Sequence, residues 1–129
     1  MVKKSMLVWL CIIPLAFING ALRDGFIEPL IGEKYAGHLS VAILCFLIFI
    51  VSFIFIPKLG NGTIKTYTII GVLWLFSTII FETILGLLMG ISINEIIQAY
   101  NIKAGNSWIV VVLFTGIVPI LVAKIKRIV

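Results

Sequence analysis

Between Tyr67 and Gly90 the chain reads YTIIGVLWLFSTIIFETILGLLMG, an apolar run long enough to cross a bilayer that holds one charged residue, Glu82. A hydrocarbon core about 30 Å thick takes roughly 20 residues of helix. A lone span must be helical, because lipid offers the backbone no hydrogen-bond partners. An ionised carboxylate at that depth costs on the order of several kcal/mol unless it is paired, hydrated or protonated. The other segments are therefore read for what they can offer this acid.

Three more apolar runs follow the same logic. Of the 129 residues, 62% are hydrophobic and 12% charged, where a water-soluble domain carries about 25% charge. The expected fold is all-α: one polytopic transmembrane domain over 1–129, with four helices near 6–22, 39–56, 67–89 and 108–123. They should form an antiparallel bundle with short extracytoplasmic interfacial segments. The start, MVKKSMLVWLCIIPLAF, has the basic head and apolar middle of a signal peptide, with Gly20-Ala21 near a cleavage point. We count it as the first span, with Pro14 expected to kink it.

Residues 25–38, GFIEPLIGEKYAGH, read as an interfacial loop. Pro29, Gly32 and Gly37 interrupt any long helix, and Phe26, Ile27, Leu30 and Ile31 are placed to anchor it. The short LGNGTIKT turn after Pro57-Lys58 predicts that the second and third spans are antiparallel neighbours. In the third span Gly71, Thr78, Glu82, Gly86 and Gly90 form a stripe of small and polar positions that should face protein. Ser92 and Glu95 have capping-box spacing, predicting a short helix through Ile96 and Ile97. Trp9, Trp74, Trp108, Tyr35 and Tyr67 are expected at the membrane interface or against lipid. Cys11 and Cys45 lack metal or redox spacing and are read as small buried hydrophobes.

The net charge of +5 sits at segment ends rather than along a stripe, so nucleic acid is not indicated and the lipid bilayer is the expected partner. Lys3, Lys4, Lys58, Lys65, Lys124, Lys126 and Arg127 fall on one side of the membrane. Arg23, Lys34 and Lys103 fall on the other. This asymmetry predicts a multi-pass protein of the inner (plasma) membrane with both termini cytoplasmic.

Arg23 lies at the outer end of the first span and Glu82 about 10 Å inside the outer boundary of the third, a separation an arginine side chain can close. The expected site is a polar pocket in the outer half of the bundle, built from Asn19, Arg23, Asp24 and Glu82, with Glu28, His38, Thr78, Tyr100 and Asn101 as further members. The plainer alternative is an Arg23–Glu82 pair that only fixes helix register. His38 has no second ligand at helical spacing, so no metal is expected. No cofactor motif, nucleophile elbow or phosphate loop occurs, and catalysis is the least favoured class.

The order Asn19-Gly20-Ala21-Leu22-Arg23-Asp24, then Pro29-Leu30 and Gly32, then Phe81-Glu82 and Ala99-Tyr100-Asn101, resembles an uncharacterised family of small four-span bacterial integral membrane proteins. The resemblance covers most of the chain and brings no activity with it. The leading function is binding, with transport as its extension, of a small polar or amphipathic ligand or proton. Four helices enclose little volume, so transport would call for a homo-oligomer or a larger membrane partner. The alternatives are a non-catalytic accessory or assembly protein and a lipid-active enzyme.

Overall fold

A computed structural model describes residues 2–60, 62–98, 100–101 and 108–127 of the chain, except the side chains of Asp24, Glu33 and Lys34. Four of its helical stretches are long and apolar enough to cross a membrane. The chain is an all-α, multi-pass membrane protein whose long helices pack as a bundle.

Helix α1 (Val2–Leu22) runs unbroken through Pro14 and passes through a π-helical turn (Arg23–Ile27) into the short α2 (Glu28–Ile31). Residues expected to form a loop are thus largely helical. Pro29 lies in the first turn of α2, directly after the π-helical turn. The break falls at Gly32 alone, whose φ of +89° is open to glycine and costly for other residues. Helix α3 (Glu33–Phe55) therefore begins well before the expected position, taking Gly37 and His38 into its first turns.

A 3₁₀ turn (Ile56–Leu59) leads towards α4 (Ile64–Leu88), whose N-terminus is capped by Thr63 and Thr66 hydroxyls that each accept from the other residue's backbone N–H. Past Gly90, helix α5 (Ile93–Gln98) starts with Ser92 Oγ accepting from the Glu95 N–H at 3.3 Å. The chain closes with α6 (Trp108–Ile125), which carries Pro119 in its interior.

The four long helices form a ring in which α1 and α6 each pack against both α3 and α4. The expected α3–α4 neighbour pair is not found: these two occupy opposite corners. Adjacent helices lie about 8–10 Å apart, so a diagonal of roughly 12–14 Å is within reach of an eight-residue connection at about 3.3 Å per residue. Chain length limited the span of the turn without deciding its direction.

Packing is tightest at the end holding both termini. Ile56, Tyr67, Ile70, Trp74, Val118, Val122 and Ala123 are fully buried there. Lipid tails are as apolar as these side chains, so contact and hydrogen bonding, rather than water exclusion, hold such helices together. Helices α4 and α6 meet where Gly71 faces Gly116: a Cβ on Gly71 would stand 2.1 Å from the Gly116 carbonyl oxygen.

The aromatic residues correct the interfacial expectation. Trp9, Trp74 and Tyr67 are buried in protein, and each polar end has an acceptor. Trp9 Nε1 donates to Thr78 Oγ1 at 3.0 Å, Trp74 Nε1 to the Ser5 carbonyl at 3.2 Å, and Tyr67 Oη to the Gly60 carbonyl at 3.3 Å. The two indole bonds, both between α1 and α4, advance together along the chain, which makes these helices parallel. Tyr35 remains exposed and Trp108 half-buried. Cys11 is exposed on α1 and Cys45 half-buried on α3, so Cys11 is not the buried residue expected.

Candidate functional site

Away from the termini the bundle loosens into a partly open recess of about 630 Å³, walled by α1, α3, α4, α5 and α6. Its walls are mostly apolar. Ile12, Phe17, Phe81, Leu85, Met89 and Ile96 supply much of that surface, and polar residues interrupt it, among them Asn19, Arg23, Thr78, Glu82 and Tyr100. Sequence order separates these five widely, and helix register brings them onto one lining.

Each is positioned by its own element. Asn19 lies near the end of α1, 4% exposed, and its Oδ1 accepts a hydrogen bond from Ser40 Oγ of α3. That bond ties the end of α1 to the start of α3 and leaves Asn19 Nδ2 buried without a partner. A buried amide donor in that condition costs about 1–3 kcal/mol, which a ligand acceptor would recover. Arg23 follows one turn later, half-buried in the π-helical turn and engaged in an interaction of its own.

Thr78 Oγ1 donates to the Trp74 carbonyl at 2.8 Å and accepts from Trp9, so its hydroxyl is committed to the wall. Glu82 follows one turn beyond on α4, half-buried. Gly86 is pressed against Ile96, whose Cδ1 would lie 2.9 Å from a Cβ there; this contact seats α5 over the recess. The stripe expected to face protein does so at Gly71, Thr78, Glu82 and Gly86. Gly90 departs from it, exposed in the turn beyond the helix at φ +83°.

The expected buried Arg23–Glu82 ion pair is absent among the described residues. Both residues line the recess, and Glu82 has no ion-pair partner among the described residues.

Tyr100 closes the site from the segment after α5. Its Oη is buried with no hydrogen-bond partner. Burial pushes the phenol above its usual range. The Trp108 indole, near enough to favour the phenolate without closing a hydrogen bond, pulls it down, and the Glu82 charge adds a further upward push.

The remaining expected members do not join the recess wall. Glu28 on α2, His38 on α3 and Asn101 after α5 are not on its lining, and His38 and Asn101 are both exposed. The side chain of Asp24 lies outside the described residues. Sequence reading missed Trp9, Phe17 and Ser40 as contributors. Their signal was weak: Trp9 is separated from Phe17 by eight residues and from Asn19 by ten, which fits one broad helix face but singles out none of them. Among the described residues no group of three His, Cys, Asp or Glu side chains converges to hold a metal ion.

The chain matches no family model, no curated protein and no solved structure, so its own residues carry the functional reading.

Proposed function

We propose that this integral membrane protein binds a small amphipathic molecule in the recess between its helices, with Asn19, Arg23, Glu82 and Tyr100 meeting the polar part. The apolar walls would take the hydrophobic body. One observation carries the reading: Asn19 Nδ2 is buried and unpartnered on the lining of a recess of about 630 Å³ that also presents Glu82. Polar groups inside a membrane are costly to keep, and such residues are functional more often than decorative. The volume lies in the range of small-molecule sites, which are concave, mostly apolar and fitted with a few convergent polar groups.

The excess of Lys and Arg around both termini supports a cytoplasmic location for them, with the recess opening towards the outer face. Passage of the ligand across the membrane would need a second copy or a larger partner, because four helices enclose little volume and the terminal half is tightly packed.

The test is a binding screen of single-chain amphiphiles against the full chain in lipid nanodiscs, read by tryptophan emission, since Trp9 and Trp108 line the recess. Saturable binding that is lost in Glu82→Gln or Asn19→Leu, with helix content and unfolding temperature retained, supports the proposal. If both substitutions change only stability or the capture of a membrane partner, the protein is an assembly factor instead.

A further inference from the structure

We infer that the recess selects lipophilic monovalent cations, a reading that rests on the recess being a ligand site and names the class of molecule it takes. Two features point the same way. The Glu82 carboxylate has no ion-pair partner among the described residues, yet it lies half-buried on a mostly apolar wall. The residue before it, Phe81, is the centre of an aromatic group on that wall. The Trp9 ring meets Phe81 edge-on at 6.1 Å between centroids and 88° between planes, and Phe17 does so at 6.3 Å and 81°.

Edge-to-face packing of this kind turns ring faces in different directions around a common centre. A cation beside them gains from the negative ring faces, most strongly when it is poorly hydrated. Aromatic faces and a carboxylate favour the same sign of charge, whereas an anion would be repelled by both. Arg23 is the opposing charge on the lining, and it has an interaction of its own. Glu95, exposed at the recess edge on α5, adds a second carboxylate, so acids outnumber bases on the described lining.

Size and ligand count separate this class from metal ions. Sodium, calcium or magnesium needs about six or more oxygen ligands, or must keep its water, and this wall is largely hydrocarbon. A cation whose charge is shielded by apolar groups pays little to leave water. It can therefore place its bulk on Ile12, Leu85 and Met89 while its charge faces Glu82 and the aromatic rings.

The experiment compares three probes of nearly one shape: tetraphenylphosphonium, its anionic counterpart tetraphenylborate, and neutral triphenylphosphine oxide. Each is titrated by equilibrium dialysis onto the full chain in nanodiscs, with empty nanodiscs subtracted. The expected result is saturable binding of the phosphonium, weakened at least about tenfold by Glu82→Gln, as removal of one poorly screened charge implies. The borate and the oxide should bind far more weakly. Phe17 is more than half exposed, so Phe17→Leu should fold; it should weaken the phosphonium and leave the oxide unchanged. That variant decides the matter should Glu82→Gln fail to assemble. Equal binding of cation and neutral probe, or indifference of the cation to both substitutions, overturns the charge preference while leaving the recess as an amphiphile site. No saturable binding of any probe by a folded protein overturns both readings.

Discussion

Gly71 of α4 and Gly116 of α6 meet so closely that the Gly116 carbonyl occupies the space a side chain on Gly71 would need, 2.1 Å from an ideal Cβ. The obstacle is backbone, so it cannot rotate away, and the two helices would have to separate. Gly71→Ala should therefore lower stability by about 1–3 kcal/mol, as overpacking of a tight core does. Gly20→Ala, where nothing lies within 4 Å, should be neutral or slightly stabilising. Thermal unfolding of the two variants in one detergent makes the comparison.

The bond from Trp9 to Thr78 joins two parallel helices at the floor of the recess. Thr78→Val keeps the shape of the side chain and removes the acceptor, leaving the Trp9 indole N–H without it. Interhelical hydrogen bonds in membranes contribute roughly 0.6 kcal/mol on average, with a ceiling near 1.7. A double-mutant cycle with Trp9→Phe should give a coupling energy in that range. A coupling of zero would mean that the bond holds nothing together.

Tyr100 should form its phenolate above the ordinary tyrosine range of about 10, because burial disfavours the charged form and the Glu82 charge adds to that penalty. Its folded-state value is raised relative to the unfolded chain. The associated stability is therefore complete below the ordinary tyrosine range and is lost as pH rises through the folded value. Ultraviolet titration of the folded protein should show a late-ionising tyrosine that disappears in Tyr100→Phe. In Glu82→Gln the same group should ionise earlier.

The two ends of the bundle should be reached from opposite sides of the membrane. In a chain with Cys11 and Cys45 replaced by serine, single cysteines at Lys3, Leu30 and Lys126 report on this, since all three positions are exposed. In intact cells an impermeant maleimide should label Leu30→Cys and spare the other two, which should react only after the membrane is opened. Labelling of Lys3→Cys from outside would reverse the proposed orientation.

The helical character of the chain was readable because it follows from local composition. Long uncharged runs must satisfy their own backbone in lipid, and only helices do so within one segment. The depth of Glu82 in its span, and the small-residue face of α4 from Gly71 to Gly86, could be read for the same reason: helical period turns spacing along the chain into position on a surface. The segment over 25–38 was harder. Gly25, Gly32 and Gly37 look alike as sequence, yet two remain within helical structure and only Gly32 takes the left-handed conformation that breaks it.

Residue order along the chain was enough to set out four apolar helices and to give one of them an acid, Glu82. Packing between helices set the ring order that puts α3 and α4 on opposite corners, buried Trp9, Trp74 and Tyr67, and left Arg23 and Glu82 without the expected ion pair. The first group depends on each segment's own exchange with lipid. The second depends on contacts between segments distant along the chain, where a Gly71–Gly116 approach or a Trp9–Thr78 bond selects one register among several that hydrophobicity leaves equal.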